Sequence, residues 1–415
     1  RNGEYDGRRL VEHVVKLFDV ADVTALGVEA ERLLVNLCVL PLDRVRVSVQ
    51  DIREWLGLTD LNILNELHER GWLRMHEDDT VSMHGVIAEA LRRQLEPDAE
   101  KCAPVIDGLF EKINKESYEL YLVEDVYFRC TESMLNIINA EEINLSALGN
   151  AAARVCQYRG DYITALRYYE KALKISEKVS GEKHHSTATI YSNLAGVYKV
   201  QGDYATALRY YEKTLAIRKK VFGKENPSIA MTYNNLAGIY KTQRDYATAL
   251  NYYEKALAIQ EKAYGKEHPH TAVMYGNMAV LYQEKGDYTT ALSYYEKVLA
   301  IQGKGAKKEQ PGKMVTFNNL AGIYQSQGDY ATALNYYKKA LVISEKVLGK
   351  EHPNTGIIYV NMGALYTTTN EWEQAKEYCQ KGYDILLKKL GEQHLNTQIA
   401  AKWLQNICEK NDFRS

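Results

Sequence analysis

The sequence predicts an all-α solenoid of stacked helical pairs, and three observations predict it. An Asp-Tyr pair recurs at Asp161-Tyr162, Asp203-Tyr204, Asp245-Tyr246, Asp287-Tyr288 and Asp329-Tyr330, each step being 42 residues, with an altered sixth copy at Glu371-Trp372. Repetition at such a period marks a repeat architecture. Each copy also carries two amphipathic runs. Tyr191, Leu194, Ala195 and Tyr198 share one helical face, and Tyr204, Ala207, Leu208, Tyr211 and Leu215 share another. Between the runs stands Gly202-Asp203. Glycine suits the left-handed residue that ends a helix, and aspartate can cap the next one.

Taken from the N-terminus, residues 29–40 read as a buried helix and 48–56 and 60–70 as two more, the last starting at a Thr59-Asp60 cap. WLRM and TVSM flank Glu77-Asp78-Asp79 and read as a hairpin. A helix over 85–95 follows. Three helices, a hairpin and a helix are the winged-helix order. Many such domains bind DNA, but the charge here has the wrong sign. From 45 to 95 stand Arg46, Arg53, Arg70, Arg74, Arg92 and Arg93, against Asp51, Glu54, Asp60, Glu66, Glu69, Glu77, Asp78, Asp79 and Glu89. A phosphate-binding surface needs the opposite excess.

Met83-His84 follow the second hairpin strand and open a helix. With LLVNLCVLP and LNILNELHERGWL, they resemble the winged-helix domain of STAND-class ATPases, the NB-ARC group that includes NLR receptors. In that family the histidine of an MHD motif contacts bound ADP and holds the closed state. The resemblance implies that role for His84. Gly85 stands where the family has Asp. The phosphate-cradling G-x-x-x-x-G-K-[ST] loop is not found in 1–415, and GKGAKKEQ at 303–310 does not fit it. ADP or ATP with Mg is therefore expected only with a separate nucleotide domain. The chain is expected to be the C-terminal part of a longer receptor, with Arg1 at a cut. The expected domains are a winged helix over 1–96, a helical connector over 97–142 and a binding solenoid over 143–415.

The solenoid accounts for the aromatic bias of 32 Tyr against 6 Phe and 4 Trp. Its pattern resembles the tetratricopeptide repeat, usually about 34 residues long. The extra residues follow the second helix, in VFGKENPS and VLGKEHPN, as in the long repeats of kinesin light chains. The resemblance implies a right-handed superhelix with a concave side. About six pairs lie between 143 and 390, with a closing helix near 394–410. Gly160, Gly286 and Gly328 match Gly202, while Arg244 and Asn370 depart from it. The turn at Arg244 is expected to be strained or differently shaped. Residues 303–312 (GKGAKKEQPG) are irregular and are expected to shorten the second helix of their unit.

Asn193, Asn235, Asn277, Asn319 and Asn361 recur on the first helices. Resemblance to kinesin-light-chain repeats places them on the concave side, holding the backbone of an extended peptide. The alternative is a structural ladder in which each Asn bonds to the neighbouring unit. At about 1 kcal/mol per neutral hydrogen bond, five such bonds give about 5 kcal/mol, which is only near-millimolar affinity. Lys199 and Lys241 in early units and Gln283 and Gln325 in later ones are expected to supply the rest. His268, His352 and His394 lie a repeat or more apart in loops, two of them beside Pro269 and Pro353, and read as loop punctuation rather than metal ligands. The pairs Tyr168-Tyr169, Tyr210-Tyr211 and Tyr252-Tyr253 read as packing.

The remaining composition is unremarkable. A net charge of −2 gives no field to draw the chain onto nucleic acid or an anionic membrane. The six cysteines form no C-x-x-C pair and read as buried thiols of a reducing cytosol. Neither a membrane-spanning run nor a catalytic constellation is visible. The expectation is a non-enzymatic, cytoplasmic sensor region of a STAND/NLR-like receptor, of bacterial antiphage type. It would bind a trigger protein or peptide and its own nucleotide domain, and activation could oligomerise it. A peptide-binding scaffold of kinesin-light-chain type and the sensor of a STAND transcription regulator are the alternatives.

Overall fold

The computed structural model describes residues 26–115, 120, 123–138, 143–304 and 311–412. Most of the irregular GKGAKKEQPG stretch, 305–310, lies outside them. The chain forms two compact units, residues 1–158 with 162–190 and residues 159–161 with 191–415.

The first unit begins with α1 (Val28–Leu37), which buries Leu33, Leu34 and Leu37. In α2 (Val49–Leu56), the Ser48 hydroxyl accepts the Asp51 N–H and Gly57 closes the helix in the left-handed region. Helix α3 (Asn62–Glu69) starts later than the Thr59-Asp60 cap predicted. Its N-cap is Leu61, without a side-chain bond, and the Asp60 carboxylate accepts the Asn62 N–H at 2.9 Å as a separate turn.

The predicted hairpin is present as β2 (Arg74–Met75) and β3 (Thr80–Ser82). A further strand, β1 (Val47–Ser48), pairs with the other edge of β3, giving the antiparallel order β1-β3-β2. Buried Val81 faces Val47 on one side and Met75 on the other. Two residues are too short to show a period-2 signal, so β1 escaped the sequence reading. Helix α4 (Gly85–Leu95) follows.

Helices α5 (Ala103–Ile113) and α6 (Asp125–Ile137) are pinned to α2. Asp51, buried, receives Lys112 Nζ at 2.7 Å, the Tyr127 hydroxyl at 3.0 Å and the Ser48 hydroxyl at 2.7 Å. A Cβ on Gly108 would fall 2.0 Å from Trp55 Cδ1, so only glycine lets α5 lie this close to α2. The first helical pair, α7 (Ile143–Arg159) and α8 (Tyr162–Val179), follows.

The pairs go on along the sequence, and from Tyr191 onward they belong to the second unit. They are α9 (His185–Val200) with α10 (Tyr204–Phe222), α11 (Pro227–Thr242) with α12 (Tyr246–Tyr264), α13 (Pro269–Glu284) with α14 (Tyr288–Lys304), α15 (Pro311–Ser326) with α16 (Tyr330–Val347) and α17 (Pro353–Thr368) with α18 (Trp372–Leu390). Helix α19 (Leu395–Asp412) closes the series. Each core joins three helices. Ala237 of α11, Ala249 and Tyr253 of α12, and Met278 and Leu281 of α13 form one cluster. The same positions build the next from Ala279, Ala291, Tyr295, Leu320 and Ile323. No pair buries its face alone, and the next first helix completes it.

The turns inside pairs share one shape. Gly202, Gly286 and Gly328 have φ of 83°, 83° and 82°, and Arg244 and Asn370 reach 63° and 62°. The Asp245 N–H reaches the Tyr240 carbonyl at 2.9 Å, as the Asp203 N–H reaches that of Tyr198. The expectation of a different shape at Arg244 is corrected. Stacking on both sides holds the turn, and Arg244 carries the left-handed strain. Asp203, Asp245, Asp287 and Asp329 accept the N–H groups of Thr206, Thr248, Thr290 and Thr332.

Candidate functional site

The asparagines divide into two kinds. Asn277 Nδ2 donates to Asn234 Oδ1 at 2.6 Å, and Asn361 Nδ2 donates to Asn318 Oδ1 at 2.9 Å. Each bond crosses from one unit to the preceding one, as the ladder alternative expects. The acceptor occupies the position just before the row, and that position varies: Ser192, Asn234, Gly276, Asn318, Val360. Asn319 therefore has no such acceptor, because Gly276 stands where Asn234 and Asn318 stand. All five row members are half-buried.

The Lys and Gln positions also divide. Lys241 pairs with Glu284 of the next unit. Gln325 accepts the Tyr337 hydroxyl at 3.1 Å. Lys199 and Gln283 instead lie across the following unit, over glycines. Lys199 Nζ is 2.9 Å from where a Cβ on Gly238 would sit, and Gln283 Nε2 is 3.5 Å from that on Gly322. Thr242 occupies the place beside Lys199 that Glu284 occupies beside Lys241. Burial, and then Lys241, push the Lys199 pKa down.

Sequence reading missed an apolar stripe beside this row. Met231, Val273 and Val315 are 59%, 55% and 50% exposed. Each lies four residues before Asn235, Asn277 or Asn319, hence on the same helical face. The signal was available at the 42-residue spacing, in apolar residues off the Tyr-Leu-Ala face. Aligned exposed apolar side chains mark a contact surface. Between α13 and α15 the stripe borders a cleft of about 490 Å³, with Asn277 and Asn319 at its edge and buried Tyr295 in its wall.

The tyrosine pairs pack as predicted from their spacing. Tyr253 enters the core, and Tyr252 stacks between Tyr233 and Tyr240 at 5.7 Å from each. Lys255 Nζ covers the Tyr252 ring at 5.3 Å. His268, His352 and His394 each cap a helix, their Nδ1 atoms accepting the N–H two residues on. Among the described residues no group of three His, Cys, Asp or Glu is placed to hold a metal ion.

His84 makes the same cap, Nδ1 accepting the Val86 N–H at 3.3 Å. This bond leaves the neutral ring's proton on Nε2. His84 is exposed and lines a cavity of about 860 Å³ that also takes in Arg44, Arg46, Arg74, His68 and His76.

A family model described as tetratricopeptide repeat matches residues 144–220, 186–262, 228–304 and 313–388. The chain belongs to the tetratricopeptide-repeat family. No curated protein matches it. Among solved structures, this repeat protein is similar to BtubC (BKLC) from P. vanneervenii, at 26% identity over 59% of this chain and 91% of that one, with a TM-score of 0.43. It is also similar to a putative kinesin light chain with nearly identical TPR-like repeats from Podosopora anserina, at 27% identity over 50% and 98%, TM-score 0.41. A STAND protein with a tetratricopeptide repeat sensor from Pyrococcus horikoshii is 16% identical over 98% of this chain and 62% of that one, TM-score 0.44. As a member of the tetratricopeptide-repeat family it is a scaffold of the protein-binding kind. Among its described residues no helix is long and apolar enough to cross a membrane.

Proposed function

We propose that the chain is the protein-sensing part of a STAND/NLR-like signalling ATPase, probing for a trigger protein with the asparagine-bearing face of its repeats. The observation that carries the reading is that face. Exposed Met231, Val273 and Val315 lie in register with half-buried amides, and aligned exposed apolar side chains of this kind mark a contact surface. Such a mixed lining suits a polypeptide, whose backbone needs donors and acceptors and whose side chains need apolar contact.

The first unit fits the signalling half of the proposal. Its three helices, short sheet and fourth helix are read as a winged helix over residues 1–96. His84 offers an Nε2–H at the edge of a cavity rich in arginine, where a nucleotide phosphate of a separate domain would find a donor. The same cap at His268, His352 and His394 means that capping alone also accounts for His84. Its role toward ADP therefore rests on the Met83-His84 resemblance. Within the proposed connector, 97–142, α5 and α6 reach Asp51 of α2 through Lys112 and Tyr127, so movement of α5 and α6 would carry α2 with them. In a bacterial defence setting the trigger would be a viral protein, and release of the closed state would allow oligomerisation in the cytoplasm.

The test uses the natural polypeptide that carries this chain together with its nucleotide domain. Retention of fluorescent ADP is measured for the wild type, His84→Ala, and a variant with Asn235, Asn319 and Val315 replaced by Ala, Ala and Glu. Candidate triggers are added to each. The reading expects faster ADP loss in His84→Ala and a trigger response lost only in the triple variant. Nucleotide retention indifferent to every protein the repeats bind would refute the sensor role. Binding of short peptides without any nucleotide response would favour the plain scaffold.

A further inference from the structure

Gly276 breaks the amide ladder at one place. Its neighbours in the series, Asn234 and Asn318, each accept a bond from the next unit's asparagine. At Gly276 that acceptor is missing, and a Cβ there would meet no atom within 4 Å. The space so left belongs to the cleft of about 490 Å³ between α13 and α15. Val273, Val280, Val298 and Val315 give it apolar walls, and Asn319 stands at its edge. One substitution in the repeat pattern thus opens a hole beside Asn319.

Lys199 breaks the pattern in a second way. It lies half-buried across Gly238, and among the described residues no carboxylate reaches it. Lys241, one unit on, is neutralised by Glu284. A half-buried ammonium without a counter-ion gains more from an incoming carboxylate than an exposed one does.

We infer that this face reads its partner at two points, an acidic side chain at Lys199 and a bulky apolar side chain in the cleft at Gly276. Neighbouring packed helices are about 8–10 Å apart. The step from above α11 to between α13 and α15 is then roughly 15 Å, or about five residues of extended chain. The occupant is an extended polypeptide segment with Asp or Glu and a large apolar residue at that separation. The inference rests on the reading of this face as a polypeptide-binding surface and adds which polypeptide.

The full chain is panned with a phage library of random twelve-residue peptides, and selected peptides are synthesised and titrated against wild type, Lys199→Gln and Gly276→Asn. Gly276→Asn restores the residue of the neighbouring repeats and fills the cleft. Val315→Glu, at an exposed mouth position, gives a second block that leaves the core intact. Selected peptides should share an acid and a Trp, Phe or Leu about five positions apart. Gly276→Asn and Val315→Glu should each weaken binding about tenfold, and Lys199→Gln about as much. Replacing the peptide's apolar residue by Ala should cost nothing further in Gly276→Asn, nor its acid by Gln in Lys199→Gln. If peptides depend on Asn235 and Asn319 but ignore all three variants, the two-point inference fails while the binding face stands. If the wild type selects no peptide, both fail.

Discussion

Lys199 is a charge held where charge is costly. Its folded pKa lies below the ordinary lysine value because burial, and then Lys241, disfavour the ammonium. The unfolded chain therefore binds the proton more tightly than the folded one, and stability rises with pH across the interval between the lowered value and 10.5. Lys199→Gln should stabilise the repeats at neutral pH, and the gain should shrink toward zero as pH approaches the unfolded lysine value. Urea unfolding of both proteins at several pH values checks this; a pH-independent difference would locate the effect elsewhere. The four aspartate caps act at the other limb. Bonds from the Thr hydroxyl, and then from its N–H, hold Asp245, Asp287 and Asp329 below 3.8, and at Asp203 the N–H leads and the hydroxyl follows. Their contribution is present above that value and lost as pH falls through the lowered one. Replacing all four by Asn, which caps without ionising, should flatten the acid limb of a helicity-versus-pH curve. Arg244 is a third case. It occupies the left-handed region that glycine takes at the matching turns, so Arg244→Gly should stabilise by about 1 kcal/mol, read by hydrogen exchange at the α11–α12 turn. The left-handed residue was foreseen from the repeat; the unchanged turn shape was not, because packing on both sides sets it.

At the scale of elements, the last full pair shows how the pattern is edited without being broken. The position of buried Tyr211, Tyr253, Tyr295 and Tyr337 holds Cys379, and that of Ala195, Ala237, Ala279 and Ala321 holds Gly363. Both side chains shrink together, and α17 and α18 close up. A Cβ on Gly363 would lie 2.3 Å from Cys379 Sγ and 2.9 Å from the Ala375 carbonyl. Gly356 and Gly382 meet in the same interface, a Cβ on Gly382 falling 2.6 Å from the Gly356 carbonyl. Alanine is otherwise the better helix former by about 1 kcal/mol, so in an open helix Gly363→Ala would stabilise. Here it should destabilise by about 2–3 kcal/mol through overpacking, read as a lower urea midpoint. A gain in stability would mean the pair has room to separate. Burial pushes the Cys379 thiol up to about 12, so it packs as a small apolar group. The substitutions at 363 and 379 are visible in the aligned repeats; that they compensate is not, because compensation is a property of the distance between helices. Likewise Met231, Val273 and Val315 were legible as a series, but their exposure depends on which face the neighbouring helices cover.

Across the whole molecule, legibility follows repetition. From Tyr162 onward each element recurs at a fixed spacing, so one copy interprets the next and the helical pairs could be written down almost residue by residue. The N-terminal hundred residues occur once. There the hairpin and four helices were found from local pattern, the Leu61 cap was not, and neither were β1 nor the hold that Lys112 and Tyr127 take on Asp51, which join distant segments. The same distinction governs stability. The core clusters around Tyr211, Tyr253, Tyr295 and Tyr337 each draw on two helices of one pair and the first helix of the next, so energy passes mainly between neighbours. Tyr253→Ala removes a buried ring from the cluster of α11, α12 and α13, at a cost of about 3–5 kcal/mol. In a nearest-neighbour stack that cost should appear locally. Native-state hydrogen exchange should accelerate in α11–α13, fall off through α14 and α15, and leave α17–α19 near their wild-type rates. A globular core would share the loss among all its helices. Uniform acceleration out to α19 would show that the repeats unfold as one body, and that binding at one end of the asparagine row is felt at the other through global stability rather than step by step.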